Sequence, residues 1–345
     1  MPHLASRAVA DPASSESRPA APHPAHGAGW RAGTHPASRA GRRWTRHPTA
    51  GRVGGVQLPP LDEILVRRLI AAQFPQWAGL PVTRVEPGGW DNRTFRLGTE
   101  LLVRLPSAAE YAEAVAKEQL WLPVLAPQLP QPVPVQLAAG APGEGFPWPW
   151  SVYGWLDGED AATSPVRDLA ALAADLAAFL GALQAIDPSG GPTPGAHNWF
   201  RGAPLTHYDD ETRQALDVLG DAVDRRVALR VWDTALSTTW PHPPRWFHGD
   251  VAVGNLLVRD DRLAGVIDFG TCGVGDPACD LVIAWTLLDG PSRTAFRDGL
   301  DLDDDTWDRA RGWALWKALI VRAGLVGTTA VEQRHTGRVL RELLT

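Results

Sequence analysis

The spacing of apolar residues divides the chain after position 57 into a β-rich part and a helical part. Leu61, Leu65 and Leu69 recur every four residues, which predicts a first helix. Short apolar segments bounded by Gly, Pro and Asp then predict strands, whereas helical spacing dominates beyond Val166. The predicted strands are 82–85, 93–97, 101–105, 133–137 and 148–155, and a second helix is predicted at 108–122.

One region interrupts the helical part of the chain. Residues 255–258 and 263–267 are apolar segments separated by a short polar stretch, which predicts a hairpin. The whole pattern predicts an α+β fold with two lobes. We expect a small β-rich N-lobe over residues 58–154 and a larger, mainly helical C-lobe over residues 155–345.

The first 57 residues are rich in Ala, Pro, Arg, Gly, Ser and His and have almost no aliphatic periodicity. Such a segment buries too little apolar surface to offset the entropy lost on ordering, so we expect a disordered extension over 1–57. It carries eight arginines against Asp11 and Glu16, a net charge of +6. Because the whole chain has a net charge of −6, the remainder sums to −12.

This acidic remainder argues against nucleic acid as a partner, because phosphate contacts need clustered Lys and Arg. We also expect no membrane span, because the most apolar stretch, 169–186, has Asp175 at its middle and the spacing of a core helix. Cys272 and Cys279 match no metal motif and are too few for a disulfide framework. A reducing, cytoplasmic location is therefore expected.

The strongest chemical signal is the sequence H-G-D-V-A-V-G-N at 248–255, followed by D-F-G at 268–270. Phosphoryl transfer needs one carboxylate to accept the proton of the attacking hydroxyl. It also needs a second carboxylate and an amide oxygen to hold Mg²⁺ against the nucleotide phosphates. Asp250, Asp268 and Asn255 supply these groups, and the predicted hairpin brings the last two together.

This segment resembles the aminoglycoside phosphotransferase family, a branch of the protein-kinase-like fold. Gly249 stands between the His and the Asp of the catalytic loop, as in that family. The stretch G-D-P-A-C-D-L at 275–281 matches the family's G-D-P-A-x-D-L. The similarity extends over about residues 58–345. It implies a bilobal protein-kinase-like fold whose N-lobe binds nucleotide and whose C-lobe carries the catalytic loop, the metal site and the acceptor pocket.

Carried onto this sequence, the resemblance implies Asp250 as the catalytic base and Asn255 and Asp268 as Mg²⁺ ligands. The cosubstrate is expected to be ATP, with GTP as the alternative. His248 is expected to pack behind the site without transferring a proton. Asp276 and Asp280 are interpreted as a helix cap and an anchor of the catalytic loop, in preference to direct catalysis.

The resemblance also assigns nucleotide-binding candidates to the N-lobe. Gly88 and Gly89 lie between two predicted strands, where backbone amides could cover phosphates, although two glycines there also fit a plain turn. Arg104 occupies the third-strand position at which the kinase fold normally has Lys, and it keeps the positive charge. Glu118 on the next helix is its expected partner, with Glu110 and Glu113 as rivals.

Ser151 and Tyr153 stand where the hinge between the lobes should bind adenine through backbone groups. A plain buried strand is the equal alternative for this aromatic stretch. The segments 198–202 and 209–211 and the aspartates of 301–305 are candidates for the border of the acceptor pocket, although such residues more often mark helix starts or solvated faces.

The expected function is transfer of the γ-phosphate of ATP or GTP to a hydroxyl of a small molecule, with an aminoglycoside or related amino sugar as one candidate acceptor. One alternative is a catalytically weak nucleotide-binding pseudokinase, which the arginine at position 104 keeps open. Another is a same-fold kinase for choline, homoserine, a sugar or a macrolide, so both antibiotic resistance and metabolism remain open as roles. A metal-dependent phosphoesterase is disfavoured, because it needs several histidines and only His335 follows Asn255.

Overall fold

The computed structural model describes residues 52–53, 56–86, 88, 91–326 and 330–345. Short 3-10 helices join the strands and α-helices of this part of the chain. The strands are β1 (Arg52–Val53), β2 (Val56–Gln57), β3 (Val82–Arg84), β4 (Asn92–Leu97), β5 (Leu101–Pro106), β6 (Gln136–Gly140), β7 (Trp150–Gly154), β8 (Glu159–Asp160), β9 (Arg245–Phe247), β10 (Leu256–Arg259), β11 (Arg262–Val266) and β12 (Gly273–Gly275). The helices are α1 (Glu63–Gln73), α2 (Ala109–Leu125), α3 (Leu169–Ala185), α4 (Asp209–Leu219), α5 (Arg225–Leu236), α6 (Ile283–Thr286), α7 (Gly290–Asp298), α8 (Asp304–Arg322) and α9 (Ala330–Leu343).

The N-lobe is built on one five-stranded antiparallel sheet with the order β3-β4-β5-β7-β6. Alternate side chains of β5, Leu101, Val103 and Leu105, are buried in a core that α1 completes with Leu65 and Leu69. The intervening positions of β5 face the other side of the sheet, as the two-residue period of a strand requires. Residue 104 therefore lies on the central strand of the sheet, with its side chain on the face opposite this core.

The C-lobe is mainly helical, and its large core includes residues of α3, α5 and α8. The apolar stretch that the sequence predicts to be a core helix is α3, where Leu172 and Leu176 are buried. Asp175 within it binds the guanidinium of Arg262 at 2.7 and 2.5 Å. Within the described residues, no helix combines the length and the apolar character needed to cross a membrane.

The predicted hairpin is present as β10 and β11, which pair antiparallel, and β8 adds a third strand to it. A second small sheet is formed by β9 and β12, which precede and follow the hairpin in the sequence. The antiparallel N-lobe sheet and the helical C-lobe confirm the predicted two-lobed fold class.

Strand β6 begins three residues later than predicted, and β7 begins two residues later. The sequence places a strand at 133–137, whereas β6 starts at Gln136. Pro134 has no backbone N–H to donate to a sheet, which explains the later start. Val133 is nevertheless buried, in the core shared with the C-lobe. The disordered extension expected over 1–57 lies outside the described residues, apart from β1 and β2, which pair with each other.

Candidate active site

The loop that follows β9 is fixed by a buried carboxylate. Asp280, in a 3-10 helix over Pro277–Val282, accepts the backbone N–H of His248 at 2.7 Å and that of Gly249 at 2.6 Å. Burial raises the pKa of Asp280 to about 6, although the two backbone N–H donors favour its charged form. The sequence-based interpretation of Asp280 as the anchor of this loop agrees with these contacts.

His248 packs behind the loop. Its Nε2 lies 3.0 Å from the carbonyl oxygen of Ile267, and its Nδ1 lies 3.2 Å from the backbone N–H of Asp250. A neutral imidazole protonated at Nε2 satisfies both contacts, because Nδ1 must accept from an N–H and Nε2 must donate to a carbonyl. The ring also meets Phe269 edge-on at 4.6 Å, so His248 links the loop to the D-F-G segment.

Position 249 requires glycine. Gly249 has φ +88°, which L-residues rarely adopt, and a Cβ atom there would lie 2.6 Å from the carbonyl oxygen of Thr271. The loop therefore passes too close to the D-F-G segment for any side chain at this position. This explains in physical terms why Gly stands between His248 and Asp250.

Asp250 projects from this loop with its side chain 37% exposed. Its Oδ1 accepts from Lys317 Nζ at 3.0 Å, and its Oδ2 accepts from Asn255 Nδ2 at 3.2 Å. Burial acts to raise the pKa of Asp250, but Lys317 and Arg201 outweigh it and lower that pKa to about 2. The carboxylate is therefore ionised at neutral pH.

Asn255 and Asp268 are brought together by the hairpin. Leu256 at the start of β10 pairs with Val266 at the end of β11, and Ile267 donates its N–H to the Asn255 carbonyl at 2.9 Å. Asp268 has φ +69°, an uncommon conformation for a residue with a side chain. Conformations of this kind persist where the surrounding structure fixes them, often at functional sites.

The oxygen atoms of Asp268 and Asn255 fit the binding of a Mg²⁺ ion that also binds the phosphates of a nucleotide. Among the described residues, no group of three or more His, Cys, Asp or Glu side chains is arranged to hold a metal ion. Mg²⁺, however, commonly binds through one or two protein oxygens plus phosphates and water. Asp268 offers a carboxylate, and because Asn255 uses Nδ2 to donate to Asp250, its amide oxygen remains for a cation.

Arg104 of β5 lies between two carboxylates. Its Nη1 donates to Glu118 at 3.1 and 3.2 Å, and its Nη2 donates to Asp268 Oδ1 at 2.8 Å. Tyr153 donates its hydroxyl to Glu118 Oε2 at 2.8 Å. Glu118, rather than the rivals Glu110 and Glu113, is therefore the partner of Arg104. Burial acts to lower the pKa of Arg104, but Glu118 and Asp268 raise it above its ordinary value.

Ser151 and Tyr153 lie in the interior strand β7, which pairs with β5 on one side and β6 on the other. Both residues are buried, and Ser151 Oγ accepts from Gln119 Nε2 at 3.0 Å. This arrangement agrees with the alternative of a buried strand. In this buried strand, the Tyr153 hydroxyl donates to the Glu118 carboxylate that binds Arg104.

The structure describes only part of the loop that contains Gly88 and Gly89. Gly88 is exposed, and its N–H donates to Glu86 Oε2 at 3.2 Å, whereas Gly89 lies outside the described residues. Asp91 follows this loop, and burial together with the nearby carboxylates of Asp268 and Asp250 raises its pKa to about 7. The loop connecting β3 to β4 therefore ends close to the acidic groups of the C-lobe.

Sequence reasoning missed Lys317 and Trp316, which lie on α8 and line the cleft beside Asp250. Arg201 falls in the segment 198–202 that the sequence offers as a pocket border, and it also lines this cleft. Asp303, by contrast, accepts the N–H of Thr306 and caps α8. The helix-start interpretation therefore describes Asp303 correctly.

A two-lobed α+β fold whose lobes meet at a carboxylate-bearing loop, a D-F-G segment and a strand cation defines the protein-kinase-like class of phosphotransferases. The sequence profile of the phosphotransferase enzyme family (APH) matches residues 82–313. The chain belongs to this family, so the predictions of its family and of a phosphotransferase are confirmed. No curated protein matches the chain.

Solved structures with a similar fold are distant in sequence. The GDP and kanamycin complex of APH(2")-IIia is 18% identical with a TM-score of 0.63, and the match covers 81% of this chain and 98% of that chain. The ADP-bound aminoglycoside phosphotransferase APH(2'')-Ib is 17% identical with a TM-score of 0.53, covering 83% and 97%. The macrolide 2'-phosphotransferase MphH from Brachybacterium faecium is 21% identical with a TM-score of 0.53, covering 80% and 97%. At these identities the similarity shows the fold.

Proposed function

We propose that this phosphotransferase moves the γ-phosphate of ATP or GTP onto a hydroxyl group of a small molecule, with Asp250 as the catalytic base. The observation that carries the proposal is the position of the Asp250 carboxylate. It is ionised and partly exposed in a cleft, on a loop that Asp280 and His248 fix against the D-F-G segment. A base of this kind must be held rigidly, because positioning supplies most of the catalysis of phosphoryl transfer.

Asp250 orients the acceptor hydroxyl by accepting its hydrogen bond. As the hydroxyl oxygen forms its bond to the γ-phosphorus, the bond from that phosphorus to the β–γ bridging oxygen breaks and the nucleoside diphosphate leaves. The hydroxyl proton passes to Asp250. The low pKa of Asp250 makes it a weak base, which suits a loose transition state in which the proton is transferred late.

Asp268 and the amide oxygen of Asn255 are the proposed ligands of Mg²⁺. When bound, the ion neutralises charge on the nucleotide phosphates. Arg104 is the proposed phosphate-binding cation of the N-lobe, because Glu118 and Tyr153 hold it beside Asp268. The backbone at Gly88 and Gly89 is the proposed cover of the phosphates. Ser151 and Tyr153 remain candidates for the nucleotide side of the site through β7.

The nucleotide and acceptor classes take support from the similar structures. One is a complex with GDP and kanamycin and another is bound to ADP, which supports a purine nucleotide as cosubstrate. Aminoglycosides and macrolides are the acceptor classes that their names suggest. Choline, homoserine and sugars remain candidates on the basis of chemistry alone.

A screen of hydroxylated metabolites and antibiotics with γ-labelled ATP and γ-labelled GTP tests the proposal. The expected result is transfer of the label to at least one compound as a phosphomonoester, with stoichiometric release of the diphosphate. Nucleotide binding without label transfer to any compound, or release of label only as inorganic phosphate, would favour a nucleotide-binding pseudokinase.

A further inference from the structure

The cleft beside Asp250 has an unusual charge for an acidic protein. The charged side chains that line it are the Asp250 carboxylate and two cations, Arg201 and Lys317. Lys317 Nζ lies 3.0 Å from Asp250 Oδ1, and its side chain is 41% exposed. The lining therefore carries a net positive charge, although the chain as a whole carries −6.

Arg201 is held rigidly at the wall of this cleft. Its Nε donates to the Gly249 carbonyl at 3.0 Å, and its Nη1 donates to the Tyr208 hydroxyl at 3.3 Å. The guanidinium also lies over the rings of Trp313 and Trp316, at 5.4 and 5.0 Å from their centroids. These contacts fix the side chain without neutralising its charge.

No carboxylate of the described residues lies at ion-pair distance from Arg201, and its Nη2 donates no hydrogen bond to them. A planar guanidinium that is fixed on aromatic faces and has one edge unused is preorganised to bind a carboxylate or a phosphate. Lys317 adds a second cation, whose single hydrogen-bonding partner in the described chain is Asp250.

Two carboxylates close to this cleft are bound to other groups. Glu211 accepts the indole N–H of Trp316 at 2.7 Å, and Asp280 accepts two backbone N–H groups of the catalytic loop. Neither of them lines the cleft. An acceptor with several ammonium groups would meet two cations next to the base, and like charges at a binding site disfavour such a ligand.

From this arrangement we infer that the acceptor carries an anionic group, a carboxylate or a phosphate, which Arg201 and Lys317 bind beside the hydroxyl to be phosphorylated. This inference rests on the proposed phosphotransfer and specifies the substrate class of the same site. It also gives Lys317 a positioning role. When the anionic group attracts Lys317, Asp250 Oδ1 is released to accept the acceptor hydroxyl, so the correct acceptor itself frees the base.

Compounds that share a carbon skeleton and differ in charge provide the test. D-glucuronate, D-glucose 6-phosphate, D-glucose and D-glucosamine form one such set, and kanamycin adds a polycationic acceptor. Each is tested at constant ionic strength for ligand-induced change in melting temperature and for phosphorylation with ATP. The expected result is that an anionic member stabilises the protein more than the neutral and cationic members do. The two anionic members distinguish a carboxylate from a phosphate.

Arg201→Gln and Lys317→Met should each remove this preference, lowering the apparent affinity for the anionic member by about tenfold, which is the usual effect of losing one charge-assisted contact. Arg225→Gln is the matched control, because Arg225 pairs with the exposed Asp217 at 2.7 Å outside the cleft, and it should keep the preference. Arg104→Gln should also keep it, which excludes anion binding at the nucleotide site as the cause.

The outcomes separate this inference from the proposed function. Equal stabilisation by all members, stronger stabilisation by glucosamine or kanamycin, or an unchanged preference in both cleft variants would overturn the anionic acceptor. If the anionic preference is present and depends on Arg201 and Lys317 but no member receives phosphate, the inference about the cleft stands and phosphotransfer to these compounds fails.

Discussion

Arg104 of the N-lobe sheet donates to Asp268 of the D-F-G segment at 2.8 Å, across 164 positions of sequence. The other terminal nitrogen of the same guanidinium binds Glu118, and the side chains of Arg104 and Glu118 are only 11% and 5% exposed. One buried arginine therefore links the third strand, helix α2 and the proposed metal ligand. Its planar fork suits this bridge, because two nitrogens can serve two carboxylates at once.

Arg104→Ala should impair nucleotide use and stability together. Loss of the cation removes a proposed phosphate contact, so we expect a rise of about tenfold in the nucleotide KM, a lower kcat and little change in the acceptor KM. Glu118 would also remain buried without its ion partner, which should cost about 3 kcal/mol of unfolding free energy. Steady-state kinetics and urea unfolding measure the two effects.

Arg104→Lys should recover part of both losses, because the charge returns without the fork. Arg225→Ala serves as the control, since its ion pair with Asp217 is exposed and should be worth less than about 1 kcal/mol. Nucleotide kinetics that stay unaltered in Arg104→Ala would remove this residue from the phosphate site.

Asp280→Ala should loosen the catalytic loop. The change leaves the buried N–H groups of His248 and Gly249 without their acceptor, which we expect to cost about 3 kcal/mol of stability and to lower kcat. Asp187→Ala is a suitable control, because the exposed Asp187 side chain accepts from the backbone N–H and the side chain of Ser189, outside the catalytic loop. A variant of Asp280 as stable and as active as the control would show that the loop does not depend on this anchor.

The sequence predicted those parts of the site that are close together along the chain. The catalytic loop, the hairpin and the D-F-G segment span little more than twenty residues, so local spacing was enough to place Asp250, Asn255 and Asp268. The pairing of Arg104 with Glu118 was predicted from the order of the strands and the helix together with the family resemblance. The start of β6 was predicted too early because the prediction followed the apolar residues and neglected Pro134, which cannot donate a backbone hydrogen bond to a sheet.

The residues that line the cleft beside Asp250 could not be predicted from the sequence, for a physical reason. Lys317 is 67 positions from Asp250, on a helix that is buried along most of its length. A single lysine on such a helix has no local signature, because its importance comes from how α8 packs against the catalytic loop. Arg201 was noted only as part of a loop, and its stacking on Trp313 and Trp316 is likewise tertiary.

Metal dependence gives a separate prediction. Asp268→Ala should lower activity more than Asn255→Ala, because a carboxylate neutralises cation charge that an amide does not, and because Arg104 also loses a partner. Activity should vanish in excess EDTA and return when Mg²⁺ or Mn²⁺ is added beyond the chelator. Transfer that continues at full rate in EDTA would rule out the proposed role of these two residues.

The central claim is that Asp250 accepts the acceptor proton, and one variant tests it most directly. Asp250→Asn keeps the shape of the side chain and removes its ability to take a proton. Nucleotide affinity, measured by titration calorimetry, and melting temperature should stay near their wild-type values. In the same samples, kcat for transfer of labelled phosphate to the acceptor should fall by at least about 100-fold. A variant that binds nucleotide normally and transfers phosphate at the wild-type rate would contradict the assignment of Asp250 as the base.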